Sequence, residues 1–508
     1  MASPTTTGPQ PAATHKDPWA ALVALCIGFF MILVDTTIVS VATPAIIEDL
    51  DAQVNDVVWV TSAYLLAYAV PVLITGRLGD RYGPKNLYLT GLTVFTLSSL
   101  WCGLTSSVEM LIVARVFQGL GASMITPQTM AIITRIFPVE RRGRAMALWG
   151  ATAGVATLVG PILGGVLVDS LGWAWIFFIN VPVGVVGFVL AARLVPRLET
   201  HTHTFDWLGV VLSGVGMFLL VFGIQEGHQY DWGTITGAVT VPALIVGGLV
   251  VLAVFVFWQA RNRSEPLVPL RLFRDRNFSL ANVGISTMGF AITAMSFPFM
   301  LYAQLVRGLS PTQSALLLVP MAVGSIVLAP FVGRLTDRLH PRSLTLFGFA
   351  AVTTSLWWTS RVMTPGTATW QILLPMVLLG IGNAFVWAPL SATATRNLPP
   401  RLAGAGAGVY NATRQVGAVL GSAAVAVAMD SRIAAHGLSF DPSRAGASSG
   451  GAMPAPVVDA FSSAMSDAML LPTVVLVVGL VAAASFEHFQ RQPVGATAPA
   501  PAPAAQSE

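Results

Sequence analysis

One carboxyl group, that of Asp35, stands well inside a long apolar stretch of this 508-residue chain. A charge at the centre of a membrane-spanning helix costs about 2.5–3.5 kcal/mol on insertion scales, so a carboxylate there is expensive to keep. Burial favours the neutral acid and a neighbouring cation favours the anion, so such a group can gain and lose a proton. This favours a proton-carrying role. The alternative is an aspartate that stays permanently paired or protonated and only helps packing.

The side chain that could pair with this carboxyl group is Arg115, one of two arginines inside apolar stretches. Asp35 lies about nine residues before the outer end of its predicted span, and Arg115 about six after the outer start of its own. At 1.5 Å per residue these depths differ by about 5 Å. Antiparallel helices would therefore bring the two side chains together in the outer half of a membrane. Alternatively, Arg115 only donates to backbone carbonyls near glycines of neighbouring spans.

The second arginine, Arg414, lies near the middle of its stretch without an acidic residue at comparable depth in the second half of the chain. Three explanations stay open: a water-filled cavity, an amide partner such as Asn383 or Asn411, or an anionic group of a substrate. Aromatic side chains inside the second apolar stretch are further candidates for a substrate cavity. They are Trp59, Tyr64 and Tyr68, although aromatic residues in membrane proteins often face lipid.

The elements that position these residues follow from composition, since 54% of the chain is hydrophobic and only 10% is charged. Soluble domains carry about 25% charged residues, and a spanning helix needs about 20 apolar ones, so the composition predicts an all-α polytopic membrane protein. Fourteen apolar stretches are present, at about 19–43, 57–76, 86–105, 109–131, 145–168, 174–195, 207–226, 235–258, 278–303, 312–333, 343–360, 370–393, 403–428 and 468–487.

Charge placement predicts the orientation of these spans. With both termini in the cytoplasm, the cytoplasmic loops and tails hold 21 of the 27 Lys and Arg residues and the outer loops hold four. Positive charge concentrates on the cytoplasmic side of membrane proteins, so this asymmetry supports fourteen spans. Residues 1–18 and 491–508 read as disordered cytoplasmic tails, and residues 429–466 as a long outer loop rich in Gly, Ser, Ala and Pro.

An internal repeat divides the chain into two halves. The loop Gly76-Arg77-Leu78-Gly79-Asp80-Arg81-Tyr82-Gly83-Pro84-Lys85 after the second span is echoed by residues 333–342 after the tenth. This predicts a six-helix half over residues 19–200, two inserted helices over 201–262 and a second six-helix half over 263–490. Parallel halves with a substrate site at their interface are a known transporter architecture.

These motifs resemble the major facilitator superfamily and, within it, the fourteen-span drug:proton antiporter family. The loop at 76–85 resembles the superfamily's Gly-x-Leu-x-Asp-Arg-x-Gly-x-Lys motif, and residues 34–39 the antiporters' first-span motif. Residues 111–121 resemble their fourth-span motif, and residues 173–184 the entry to their sixth span. Glycines and a proline in the fifth span resemble the antiporter motif: Gly150, Gly154, Gly160, Pro161, Gly164 and Gly165. Ala174 and Pro84 depart from the pattern, in loops.

The resemblance implies a proton-coupled exporter of amphipathic or apolar small molecules in the cell membrane, working by alternating access. Asp35 and Arg115 would couple the proton. The loop residues Gly76, Gly79, Asp80, Arg81, Gly83 and Lys85 would form a conformational gate. The alternatives are export of a physiological lipid or metabolite, and a proton-coupled uptake carrier.

The sequence lacks the residues that other classes of protein would need. All seven histidines lie in tails, loops or span ends, and both cysteines, Cys26 and Cys102, fall in apolar stretches, so no metal site, cofactor or disulfide framework is expected. No Gly-x-x-x-x-Gly-Lys-Ser/Thr loop is present, so no nucleotide partner is expected. The basic charge follows membrane orientation, so no nucleic-acid partner is expected either. A membrane enzyme would need clustered carboxylates or histidines, so we expect a carrier for small molecules and protons in the lipid bilayer and not an enzyme.

Overall fold

The computed structural model describes residues 17–198, 200, 206–227, 230–237, 239–262, 266–395, 400–437 and 455–487, and most of them are helical. The first half forms α1 (Pro18–Asp49), α2 (Val54–Ala69), α3 (Val72–Tyr82), α4 (Pro84–Gly103), α5 (Val108–Ile136), α6 (Val139–Leu171), α7 (Trp175–Phe178) and α8 (Asn180–Leu194). Then follow α9 (Trp207–Gln225), an antiparallel hairpin of β1 (Thr234–Thr236) and β2 (Val239–Thr240), and α10 (Val241–Arg261). The second half forms a 3-10 turn (Leu270–Arg274), α11 (Arg276–Leu301), a π-helical turn (Tyr302–Val306), α12 (Pro311–Leu316), α13 (Val319–Arg338), α14 (Pro341–Val362), α15 (Thr369–Thr395), α16 (Pro400–Ala435), α17 (Ala455–Ala468) and α18 (Leu470–Ala484).

Three predicted spans are built from two shorter helices, namely α2 with α3, α7 with α8, and α12 with α13. Pro71 separates α2 from α3, and it cannot donate the backbone hydrogen bond that a continuous helix needs there. Pro161, by contrast, lies inside the unbroken helix α6.

Within the described residues, ten helices are long and apolar enough to cross a membrane, so the chain is a multi-pass membrane protein. The other predicted spans correspond to α2 with α3, to α4, to α6 and to α14. Helix α4 shows why they fall short: its buried Ser98 and Ser99 lower its hydropathy while facing protein. The count of fourteen spans and the cytoplasmic termini therefore remain predictions.

The helices pair in the same way in both halves. In the first half α1 packs on α6, and α5 packs on α4 and α2; in the second α11 packs on α16, and α15 packs on α14 and α13. The halves meet where α2 packs on α16 and where α6 packs on α12 and α13. This repetition is the pattern expected of two parallel six-helix units.

The inserted helices α9 and α10 pack on each other, and α9 also contacts α2 and α16. Only 11% of the apolar segment of α10 is buried within the described chain, so this helix presents most of its surface to lipid.

The predicted outer loop at 429–466 is wrong at both ends. Helix α16 continues to Ala435, and residues from Ala455 onward form α17, whose Phe461, Ala464 and Met465 are buried. Apolar residues at this spacing cover one helix face, which gives α17 a packing surface despite its small and polar neighbours. Of the predicted tails, residues 1–16 and 491–508 lie outside the described residues, and Asp17 caps α1 by accepting from the backbone of Trp19 at 3.0 Å.

Candidate functional site

Asp35 and Arg115 form an ion pair in the interior of the first half. Nη1 of Arg115 lies 2.5 Å from Oδ2 of Asp35, and both residues are 0% exposed. Helix α1 carries the carboxylate and α5 carries the arginine. The guanidinium also donates from Nε to the carbonyl of Val60 in α2, at 3.1 Å. A buried pair of opposite charges with further hydrogen bonds avoids the large cost of an isolated buried charge.

Neutral polar side chains complete this site. Gln118 accepts from Arg115 at 2.6 Å and donates to Oδ1 of Asp35 at 2.8 Å. Asn180, the first residue of α8, donates to the same oxygen at 3.2 Å and to Ser99 at 3.0 Å. The sequence reasoning did not assign Gln118, Asn180 or Ser99 to the site. Two signals pointed to them: Gln118 and Asn180 lie in the fourth- and sixth-span motifs, and the three-residue spacing of Arg115 and Gln118 places these two on one helix face.

The described hydrogen bonds to Asp35 all come from donors on Arg115, Gln118 and Asn180, and the guanidinium brings a positive charge to the carboxylate. The guanidinium lies over the ring of Tyr64, 4.1 Å from its centroid. The hydroxyl of Tyr64 is buried without a hydrogen-bond partner.

The loop at 76–85 connects α3 to α4 and contacts other elements. Gly83 adopts a φ of 92°, a left-handed conformation that glycine tolerates best. Lys85 donates to the carbonyls of Ala192 and Val195 at 2.6 and 2.7 Å, which places a cation at the C-terminal end of α8, where the helix dipole favours it.

The other residues of this loop differ in how closely they pack against neighbouring helices. A side chain at Gly79 would collide with Gln128 of α5, whereas Gly76 has room beside Pro127. Arg81 is exposed and lies 5.6 Å from the ring centroid of Tyr82. The side chain of Asp80 lies outside the described part of the structure, so its place in the gate stays a prediction.

Glycines of α6 lie at its contacts with α1 and with α12. A side chain at Gly160 or Gly164 would collide with Thr37 or Ile38 of α1, close to Asp35 in sequence. At Gly165 a Cβ atom would lie 2.5 Å from the Cα atom of Thr312 in the second half. The contacts of Gly150 and Gly154 lie outside the described part of α6. The segment around Pro161 therefore touches both the helix with the buried carboxylate and the opposite half.

The sequence pattern of the Major Facilitator Superfamily matches residues 25–422. The chain belongs to this superfamily. It is 54% identical to the uncharacterised MFS-type transporter Rv1250 of Mycobacterium tuberculosis, over 92% of this chain and 81% of that protein. It is 35% identical to the tetracenomycin C resistance and export protein of Streptomyces glaucescens, over 82% of this chain and 77% of that protein. The fold resembles a bacterial homolog of the human lysosomal transporter Spinster, with a TM-score of 0.62 and 17% identity over 93% of this chain and 98% of that one.

These comparisons confirm the family resemblance and make the chain a membrane transporter and not an enzyme. Its ten apolar helices and its relatives place it in the cell membrane as a multi-pass protein. Among the described residues no cluster of His, Cys, Asp or Glu could hold a metal ion.

The cavity candidates of this transporter fall into separate places. Tyr64 contacts Arg115, and the hydroxyl of Tyr68 lies 2.7 Å from that of Thr126. Trp59 instead donates to Oε1 of Glu226 at 2.5 Å. In the second half, the side-chain oxygen of Asn383 is buried without a hydrogen-bond partner. Asn411 and Arg414 are half-buried on α16.

Glu226 is a second buried carboxylate, which the sequence reasoning missed because it stands at the end of an apolar stretch. It is 7% exposed and follows α9, and its Oε1 also accepts from Asn55 at 3.1 Å. These contacts attach the inserted helix α9 to the start of α2.

Proposed function

We propose that this transporter is a proton-coupled exporter that moves amphipathic or apolar small molecules out of the cell in exchange for protons. The observation that carries the proposal is the occluded ion pair of Asp35 and Arg115, a titratable group buried inside the membrane-spanning bundle. Intramembrane carboxylates are costly, and in transporters they mark proton or ion pathways. The relatives named for antibiotic export favour outward transport of a small molecule.

Contacts between the halves support alternating access. At the predicted outer end, Oδ2 of Asp169 in α6 accepts from the backbone of Thr312 at 3.0 Å and from Ser310 at 3.1 Å. The side chain of Gln304 donates to the carbonyl of Val41 at 3.0 Å. Exposed hydrogen bonds such as those of Asp169 can break without unfolding either half, so they suit a closure that opens in each cycle.

In the proposed cycle, cargo enters from the cytoplasm while Asp35 is ionised and paired with Arg115, as in this structure. Opening of the outer contacts admits a proton to Asp35, which weakens its pair with Arg115 as cargo leaves. The protonated carrier returns, releases the proton inside and restores the pair. One elementary charge that crosses the membrane contributes about 2.3 kcal/mol per 100 mV, so one or two protons supply the energy for substantial pumping.

The test compares native protein with Asp35→Asn in proteoliposomes under an imposed pH gradient, with ethidium and a panel of antibiotics as cargo. We expect the variant to lose gradient-driven transport but to keep exchange of labelled for unlabelled cargo, because exchange needs no net proton transfer. Asp459→Asn, at an exposed carboxylate of α17, is the matched control and should transport normally. Gradient-driven transport by Asp35→Asn at the native rate would exclude Asp35 as the coupling group.

A further inference from the structure

Arg414 is a cation inside the bundle whose charge no described residue neutralises. It is half-buried on α16, the helix that joins the second half to α2 of the first. Within the described residues it forms neither an ion pair nor a hydrogen bond. Its guanidinium therefore still has donors to offer, and it lies at the interface of the two halves, where transporters of this architecture bind their cargo.

The depth of Arg414 follows from one contact between α2 and α16. The hydroxyls of Ser62 and Ser422 lie 2.7 Å apart, which aligns the two antiparallel helices at that level. At 1.5 Å per residue, Arg414 lies about 12 Å from that level along α16, and Tyr68 lies about 9 Å from it along α2, in the same direction. The two side chains thus lie within about 3 Å of the same level.

Tyr410 adds a second unused polar group beside Arg414. It precedes Arg414 by four residues on α16, so both side chains lie on one helix face. Tyr410 is 7% exposed, and its hydroxyl has no hydrogen-bond partner. A buried hydroxyl without a partner is destabilising, so a ligand that accepts its proton would find a group already desolvated.

The three buried carboxylates of the described chain, Asp35, Asp206 and Glu226, have other partners. Asp206 accepts from Trp258 and Gln259 of α10. Asp35 is paired with Arg115, which lies at the level of Val60, about 12 Å along α2 from Tyr68. Glu226 lies at the level of Trp59, about 14 Å along α2 from Tyr68, which is far beyond the reach of an ion pair. Among the described residues, no buried carboxylate therefore balances the charge of Arg414.

We propose that Arg414, with the hydroxyl of Tyr410 beside it, binds the anionic group of an amphipathic cargo, a carboxylate or a phosphate attached to an apolar body. The planar guanidinium donates two parallel hydrogen bonds to such groups, and the tyrosine hydroxyl donates a third. The inference rests on the proposed export function, since it identifies the cargo class of the same carrier. It also selects the third of the three explanations that the sequence left open for Arg414.

Binding of matched probes to the purified full-length protein tests this. The probes are dansyl-undecanoic acid, which is ionised at pH 7.5, and its neutral methyl ester, detected by energy transfer from tryptophan to dansyl. We expect Arg414→Gln to weaken binding of the acid by about tenfold or more, because a hydrogen bond to a charged group contributes at least that factor. Binding of the ester should change less than about threefold, and Arg414→Lys should recover part of the loss.

Arg432→Gln is the matched control, since it removes the same charge from an exposed position on the same helix. Binding of the ester by Arg414→Gln shows that the variant is folded. Competition by lysophosphatidic acid and by dodecanoic acid separates a phosphate of lipid origin from a free carboxylate, and either result supports the anion site. Equal binding of acid and ester by native protein, or an unchanged preference for the acid in Arg414→Gln, would overturn the inference. If that happened while Asp35→Asn still lost gradient-driven transport, the export proposal would stand without it.

Discussion

Removal of the Asp35 charge and removal of the Arg115 charge should destabilise the fold by different amounts. Asp35→Asn leaves an arginine 0% exposed without an anion, and arginine stays protonated in proteins, so its charge persists. The loss of one partner of a buried pair costs about 3–5 kcal/mol. Arg115→Gln leaves a carboxylate that keeps donors from Gln118 and Asn180 and can also take up a proton. We therefore expect Arg115→Gln to lower the free energy of unfolding by less, about 1–3 kcal/mol.

The double variant Asp35→Asn/Arg115→Gln removes both charges and should be more stable than Asp35→Asn alone. Unfolding in mixed micelles with increasing sodium dodecyl sulfate, at pH 8 and pH 5.5, measures all four proteins. The interaction energy of the cycle should be about 2–3 kcal/mol, the upper range for groups in direct contact. Asp459→Asn again serves as control. Additive effects, or equal losses in the two single variants at both pH values, would refute the reasoning.

Three other variants test the contacts around this site. Gly165→Ala places a Cβ atom 2.5 Å from the backbone of Thr312, so it should lower the unfolding temperature and the transport rate. The control is Gly247→Ala, which should leave both unchanged because the added atom meets nothing within 4 Å. Glu226→Gln replaces charged by neutral acceptors for Asn55 and Trp59 and should cost about 1 kcal/mol in micelle unfolding, against less for the exposed Glu487→Gln. Burial opposes ionisation of Asp206, but hydrogen bonds from Trp258, Gln259 and two backbone amides outweigh it and lower the pKa of Asp206. The ionised Asp206 should therefore stabilise the fold fully above about pH 4, and this stabilisation should decline as the pH falls through the lowered pKa. Asp206→Asn should abolish this part of the pH dependence of unfolding.

The sequence was most informative where a charge inside an apolar stretch had to be explained. The depth estimate placed Asp35 and Arg115 within about one helical turn of each other, and the structure joins them at 2.5 Å. Gln118, Ser99 and Asn180 could not be found this way, because neutral polar residues are common in membrane helices and their partners depend on helix rotation. The same ambiguity applies to Trp59, which contacts the inserted helix pair through Glu226.

Local composition misled the prediction where packing decides the structure. Gly, Ser, Ala and Pro between residues 429 and 466 suggested a loop, yet Phe461, Ala464 and Met465 lie on the buried face of α17. Likewise, positive charge in the loop at 76–85 predicts orientation only, whereas Lys85 holds the end of α8 through two carbonyls. Both features depend on neighbours that are distant in sequence.

An anionic cargo changes how proton coupling must operate. Protonation of Asp35 leaves the charge of Arg115 uncompensated, about 15 Å along the helix axes from the level of Arg414, and at an effective dielectric constant of 20 this favours a bound anion by about 1.1 kcal/mol. Protons and an anion therefore do not compete for the carrier, and coupling has to come from the change in access. Exchange of an anion for a proton supplies enough energy for transport. The leaving anion and the entering proton together move two elementary charges in the favourable direction across an inside-negative membrane, which releases about 4.6 kcal/mol per 100 mV. A neutral cargo would use half of that electrical energy.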